Sequence, residues 1–105
     1  MAGGFANQEL TRDQVDAVKG FCLLQFGIDT CGHCQAAKSA VETALTKHPD
    51  IAHIKVEDGR GRPLGRSFAV KLWPTLILLK DGQEIGRIVR PTTVGEVDGL
   101  LGQIQ

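Results

Sequence analysis

The chain has 105 residues, of which 42% are hydrophobic and 5% aromatic, and its 12 basic and 12 acidic residues give a formal net charge of zero. This length and apolar content fit one globular domain, residues 1–105, and argue against a disordered chain. The charge balance argues against nucleic acid or an anionic membrane as the partner, since both favour a basic excess.

The first elements are a short helix and a buried strand. Residues 1–10 are expected to be irregular or to form a short edge strand. Thr11 and Gln14 have the spacing of a capping box, which predicts a helix that ends at Gly20. The nearly continuous apolar run from Phe21 to Phe26 is typical of a strand that is buried on both faces.

A second helix and strand follow. Asp29-Thr30 is predicted to be a loop, and apolar residues recur at helical spacing from Gln35 to about Lys47. Ile51 to Val56 is predicted to be a strand. The segment from Arg60 to Arg66 is rich in Gly and Arg and predicts a loop that leads into a short helical turn around Gly65 to Val70.

The last third of the chain predicts a hairpin and a helix. Thr75 to Leu79 and Glu84 to Val89 form antiparallel strands joined at Asp81-Gly82, and Val94 to Ile104 forms the C-terminal helix. The order is a βαβ unit followed by a ββα unit. It predicts an α/β fold with a central mixed sheet flanked by helices.

A cysteine pair lies where the first buried strand gives way to a helix. Cys31 at the first turn would gain from free N–H groups and the positive end of the helix dipole, which favour a thiolate. Cys34, one turn later, is expected to point inward and to attack a mixed disulfide formed by Cys31. Gly32 is expected to let the backbone bend tightly between them.

His33 lies between the two cysteines. A protonated imidazole would stabilise the Cys31 thiolate and make the couple a stronger oxidant. The alternative is that His33 is merely a solvent-exposed helix residue.

These motifs resemble the thioredoxin family. Cys31-Gly32-His33-Cys34 after a buried strand, with Trp73-Pro74-Thr75 before a later strand, is similar to that family from about Thr11 to the end of the chain. The inner Gly-His is the dipeptide of protein disulfide isomerases, whereas thioredoxins usually have Gly-Pro. The resemblance implies a thioredoxin-like fold.

The resemblance also implies a substrate-binding segment at Trp73, Pro74 and Thr75. Pro74 corresponds to the family's cis-proline, which faces the cysteine pair across a groove, and proline accepts a cis bond most readily. The carbonyl and N–H of Trp73 are then expected to be free to pair with an extended substrate. The Trp73 side chain either shapes the groove or simply packs in the core.

Two positions depart from the family pattern. Thr30 replaces the Trp that usually precedes the first cysteine, and Gln25 lies where the family has a buried acid that relays the proton of the inner thiol. Gln cannot take up that proton. Gln25 is expected to orient a water or to hydrogen-bond Lys55, which falls near the family's buried lysine; Lys55 could alternatively be an ordinary edge charge.

The expected function is that of a thiol–disulfide oxidoreductase, which exchanges disulfides with client proteins through Cys31 and Cys34. The redox-active disulfide itself would serve in place of a cofactor, and a thioredoxin-reductase-like flavoprotein or a glutathione system would recharge it. The alternative is an interaction or chaperone module with weak or regulatory redox activity.

The chain is expected to be a monomer. A cytoplasmic location is expected, because Met1 to Gln8 has no basic segment followed by an apolar one, although a mature chain without its leader would look the same.

The remaining cysteine and histidines are expected to be structural. Cys22 on the first strand is predicted to be an inert core residue. His48 and His53 are expected at the surface, without ligand spacing to the cysteines. Two cysteines supply only half of a closed zinc site, so no metal is predicted.

Overall fold

The apolar run that follows Gly20 forms the centre of the sheet. The computed structural model describes residues 11–28, 31–59 and 63–103. In it, β1 (Phe21–Gly27) pairs in parallel with β2 (Ala52–Glu57) and antiparallel with β3 (Thr75–Lys80). β4 (Gln83–Val89) pairs antiparallel with β3, which gives the order β2-β1-β3-β4. The predicted α/β fold with a mixed sheet is confirmed.

Helices cover both faces of this sheet. They are α1 (Arg12–Asp16), α2 (Gly32–Leu45), α3 (Pro63–Ser67) and α4 (Val94–Leu101). Because side chains alternate along a strand, Leu23 packs with α2 and α4 on one face, whereas Cys22 and Leu24 pack with α1 and α3 on the other. Cys22 is fully buried there, as predicted for a core residue. The two apolar clusters fix the position of β1, whose C-terminal end leads to the cysteine pair.

Several boundaries differ from those predicted. The Thr11 capping box is present, but α1 ends at Asp16, and Gly20 lies instead in the turn before β1 with φ +78°. The second helix begins at Gly32 with Cys31 as its N-cap, in agreement with the predicted place of Cys31 at the first turn, but it ends at Leu45 rather than near Lys47. The last helix ends at Leu101. The predictions for residues 1–10, Asp29-Thr30 and Ile104 lie outside the described residues.

The short third helix ends in a Schellman motif. Its bounds are earlier than the predicted turn at Gly65 to Val70, because Ala69 ends it in the left-handed region at φ +58°. The N–H of Val70 donates to the Gly65 carbonyl at 2.9 Å, and that of Ala69 to the Arg66 carbonyl at 3.0 Å. These bonds satisfy carbonyls that the helix end leaves without partners.

The predicted hairpin turn is present between β3 and β4. Asp81 and Gly82 both have positive φ, +51° and +84°, as a two-residue type I′ turn requires. A Cβ on Gly82 would also overlap the backbone of Asp16. The turn therefore packs against the end of the first helix.

Candidate active site

Cys31 is the N-cap residue of the second helix. Its backbone is extended, and its Sγ accepts a hydrogen bond from the backbone N–H of Cys34 at 3.2 Å. The same sulfur lies 3.9 Å from the Trp73 carbonyl oxygen, within reach of a weak S–H···O contact. The predicted position at a helix N-terminus is therefore present in the structure, with the thiol partly exposed.

The surroundings of Cys31 lower its pKa. Partial burial is the largest single influence and acts to raise the pKa, but hydrogen bonds from the Cys34 thiol and from the N–H groups of Cys34 and His33 outweigh it. The positive charge of Arg90 acts in the same direction as the hydrogen bonds. Because the thiolate is the attacking species in disulfide exchange, we expect Cys31 to be the more reactive of the two thiols.

Cys34 has the opposite environment. Only 3% of the residue is exposed. Burial, followed by the hydrogen bond to Cys31, raises the pKa of Cys34 to about 12, although a backbone hydrogen bond at Ile28 and then the charge of Lys55 partly offset this. The pair is thus asymmetric: an accessible thiol that ionises easily stands beside a buried thiol that keeps its proton.

The Trp73-Pro74 peptide bond is cis, and Trp73 lies directly against Cys31. Pro74 and Thr75 are buried, and the Thr75 hydroxyl donates to the Leu72 carbonyl at 2.6 Å. The segment predicted to bind substrate therefore faces the cysteine pair at the start of β3. Its binding role stays a prediction.

Arg90 was missed by the sequence reasoning. Its Nε donates to the Trp73 carbonyl at 3.0 Å, and its backbone N–H donates to the Pro74 carbonyl at 2.9 Å. The expectation that the Trp73 carbonyl is free therefore holds only in part, because the Arg90 side chain occupies one of its two lone pairs. The signal in the sequence was weak, because Arg90 and the proline after it indicate only that a strand ends there.

The side chain of Trp73 is held by a hydrogen bond of its own. Its indole N–H donates to the Asp58 carboxylate at 2.8 Å, and the residue is only partly exposed. Asp58 is in turn packed against Gly65, where an added Cβ would overlap the carboxylate. The indole thus forms part of the wall beside the site and is anchored by one hydrogen bond.

The side chain of Gln25 is paired with a histidine. Its Oε1 lies 2.7 Å from Nε2 of His53, and Gln25 is 2% exposed. His53 is half-buried, so the expectation of a surface residue is wrong. Burial, then the charge of Lys55, lowers the pKa of His53 to about 4. Since an amide oxygen only accepts, the neutral imidazole donates from Nε2.

Gly32 and His33 act differently from the sequence-based expectations. Gly32 is the first residue of the helix; its φ is not positive and a Cβ there would meet nothing within 4 Å, so neither its backbone angle nor its surroundings require glycine. The exposed His33 contributes its backbone N–H to the Cys31 sulfur. Tuning by the imidazole stays a prediction.

The described ranges 11–28, 31–59 and 63–103 contain no group of three or more His, Cys, Asp or Glu that could hold a metal ion. No helix in the same ranges is long and apolar enough to cross a bilayer.

Comparisons with known proteins all indicate the same family. A family model described as Thioredoxin matches residues 5–100. The chain is 33% identical over 84 residues to a thioredoxin of Chlamydia trachomatis, which covers 79% of each chain. It is 28% identical to a Thioredoxin H2-1 of Oryza sativa subsp. japonica, of which it covers 49%.

Solved structures agree. The reduced form of thioredoxin 2 from Pseudomonas aeruginosa PAO1 superposes with a TM-score of 0.86 and 43% sequence identity, covering 98% of this chain and 99% of that one. A Fasciola hepatica thioredoxin at 19% identity has a TM-score of 0.72 over 86% of each chain, which supports the fold alone.

Proposed function

This chain belongs to the thioredoxin family, and we propose that it is a thiol–disulfide oxidoreductase that exchanges disulfides with client proteins through Cys31 and Cys34. The observation that carries the proposal is the asymmetry of the pair. Cys31 caps the helix with its pKa lowered, and the buried Cys34 has its pKa raised to about 12.

The geometry supports a two-step exchange. The Cys31 thiolate attacks one sulfur of the client disulfide, forms a mixed disulfide and releases the other sulfur as a thiolate, which takes a proton from water. Cys34 then loses its proton and attacks Cys31 Sγ. This step forms the Cys31–Cys34 disulfide and releases the second client thiol, so two electrons pass from the protein to the client.

Return of the Cys31–Cys34 disulfide to the dithiol form requires two electrons from an external reductant. We propose that a thioredoxin-reductase-like flavoprotein or a glutathione system supplies the electrons, and that the redox-active disulfide serves without a bound cofactor. The balanced charge and the absence of a basic excess support a protein client rather than nucleic acid or a membrane. We further propose a single domain that acts as a monomer in the cytoplasm.

Reduction of insulin by dithiothreitol tests the activity. Wild type should accelerate precipitation of the insulin B chain, and Cys31→Ser should abolish the acceleration. Cys22→Ser is the matched control, because Cys22 is fully buried in the other apolar cluster and should retain activity. Acceleration that survives Cys31→Ser would contradict the proposal.

The observation at Gln25 favours one alternative, an interaction module with weak redox turnover, because the amide cannot take up the Cys34 proton. The variant Cys34→Ser separates the two. An oxidoreductase should accumulate clients as mixed disulfides on Cys31 that dithiothreitol releases. A docking module should retain clients without covalent attachment.

A further inference from the structure

Arg90 occupies an unusual place beside the cysteine pair. It is the first residue after β4, and its backbone lies in the left-handed region at φ +53°, which is costly for any residue other than glycine. Two hydrogen bonds hold it there, from the backbone N–H to the Pro74 carbonyl and from Nε to the Trp73 carbonyl. Strain of this kind persists where the surrounding structure requires it, and it is frequent at functional sites.

The guanidinium group and the active thiol share one acceptor. The Trp73 carbonyl oxygen lies 3.0 Å from Arg90 Nε and 3.9 Å from Cys31 Sγ. Nε uses one of the five N–H donors of the guanidinium, and the side chain is exposed. Among the described residues, no Asp or Glu forms an ion pair with Arg90. A planar cation with unused donors therefore stands at the rim of the site.

The flank of the site beyond Trp73 is also basic. A cavity of about 210 Å³ is lined by Asp58, Gly59, Arg66, Val70, Lys71 and Trp73. The only carboxylate in this lining, that of Asp58, accepts the indole N–H. The cations Arg66 and Lys71 are exposed, so the lining of this cavity carries more positive than negative charge although the chain as a whole is neutral.

We propose that Arg90 is a specificity-determining residue that selects disulfide clients carrying a carboxylate next to the attacked cysteine. A client that docks as an extended segment can use the second lone pair of the Trp73 carbonyl for its own N–H. Its neighbouring carboxylate then lies at the guanidinium, which binds it in a bidentate, charge-assisted pair. This inference rests on the proposed oxidoreductase function.

Two disulfide-linked peptide probes that differ only in Glu or Gln beside the cysteine test this inference. With wild type, kcat/KM for the Glu probe should exceed that for the Gln probe by about two- to fivefold at low salt, the range of an exposed ion pair. The ratio should decrease as salt screens the charges. Arg90→Gln should bring it to about one, a change that a purely structural role would not produce.

Two further variants keep the test decisive. Arg90→Gly relieves the left-handed strain, so this variant should stay folded while also losing the preference for the Glu probe. Lys19→Gln removes an exposed charge just before the first residue of β1, at the end of the strand opposite to the site. This variant should keep the preference. Equal rates for the two probes with wild type, or a preference that survives both Arg90 variants, overturn the inference while leaving the oxidoreductase function intact. Failure of wild type to reduce either probe refutes the function itself, and the inference with it.

Discussion

Nε2 of His53 lies 2.7 Å from Oε1 of Gln25, so a neutral imidazole donates to a buried amide at the position where the family has a buried acid. The two side chains come from neighbouring parallel strands, with Gln25 in register with Lys55 and His53 two residues earlier. This places three polar groups under the second helix. The three groups are a cation and two neutral side chains, so the one that titrates in acid is the histidine, on whose pKa the nearby Glu42 carboxylate acts in the opposite direction to Lys55.

The first prediction is that the protein becomes less stable as the pH falls, because of His53. Its pKa is lowered from 6.5 to about 4 in the folded state, so between these values the unfolded chain binds a proton that the folded chain does not. The free energy of unfolding should therefore decrease as pH falls from 6.5 to 4, by about 1–3 kcal/mol, since each unit of pKa corresponds to about 1.4 kcal/mol. Urea unfolding at several pH values measures it.

The matched variants separate this histidine from the others. His53→Gln should flatten the acid slope, whereas His33→Gln, which changes an exposed imidazole, should keep it. The same slope in His53→Gln and wild type would contradict the assignment. Lys55→Gln offers a second check, because removing that charge should raise the pKa of His53, as measured by NMR titration of the ring protons.

The second prediction concerns the order of thiol reactivity. Cys31 has a lowered pKa, whereas burial raises the pKa of Cys34 to about 12 and that of Cys22 to about 11. Iodoacetamide at pH 7 should therefore modify Cys31 well before the other two, as read by peptide mass spectrometry. In urea all three should react at similar rates. Early modification of Cys34 in the folded protein would refute the asymmetry on which the proposed function depends.

The third prediction follows from the bond between Asp58 and Trp73. Asp58→Ala and Trp73→Phe each remove the 2.8 Å hydrogen bond, and a double-mutant cycle should give a coupling of about 1–3 kcal/mol in the free energy of unfolding. Trp73 is the sole tryptophan of the chain. Its emission should therefore shift in Asp58→Ala, and a coupling near zero would mean that the bond contributes nothing.

A substitution at Gly65, which packs against Asp58, tests the same Asp58–Trp73 hydrogen bond. Gly to Ala inside a helix usually stabilises by about 1 kcal/mol, but here the Cβ would overlap the Asp58 carboxylate. Gly65→Ala should therefore destabilise the protein and shift the Trp73 emission. Gly99→Ala, in a helix where a Cβ meets nothing within 4 Å, is the control and should stabilise it.

The fourth prediction is a stabilising change at the end of the third helix. Ala69 holds a left-handed conformation at φ +58° that glycine adopts without steric cost. The strain relieved, about 1–2 kcal/mol, exceeds the extra flexibility that glycine gives the unfolded chain, about 0.4–1 kcal/mol. Ala69→Gly should raise the free energy of unfolding by about 0.5–1 kcal/mol, and Gly20→Ala, at φ +78°, should lower it. Loss of stability in Ala69→Gly would contradict the Schellman assignment.

The fold was largely predictable because its signals are local. The buried run at Phe21–Phe26 and the Asp81-Gly82 turn each determine their element through nearby residues, and both were placed correctly. The start of the second helix at Cys31 was also placed correctly, but its end at Leu45 was not, since the apolar spacing continues to about Lys47.

The site residues were predictable only where they belong to one short sequence motif. Cys31 and Cys34 are neighbours in sequence, and their spacing on a helix start fixes their geometry. Arg90 and His53 reach the site from the ends of other strands, 59 and 22 residues from Cys31 along the chain. Nothing in their local sequence indicates which carbonyl or amide they contact, because strand register decides it.

The last prediction concerns the step that releases the client. Cys34, with a pKa of about 12, has to lose its proton before it attacks the mixed disulfide, and the buried Gln25 amide cannot accept that proton. Gln25→Glu is nearly isosteric and places a base in the cluster with Lys55, whose charge acts on Cys34. The mixed disulfide should then decay faster at pH 7, by about tenfold or more, since a positioned general base typically contributes at least that much.

Gln25→Met is the matched control for that step, because it keeps the side-chain length and provides no base. The decay of a mixed disulfide between Cys31 and a chromogenic thiol, followed by stopped flow, measures the rate. The advantage of Gln25→Glu should shrink as pH rises, since hydroxide then removes the Cys34 proton in both variants. Equal decay at pH 7 in the Glu and Met variants would show that proton removal from Cys34 does not pass through this position, and that the Gln25–His53 pair acts only in packing.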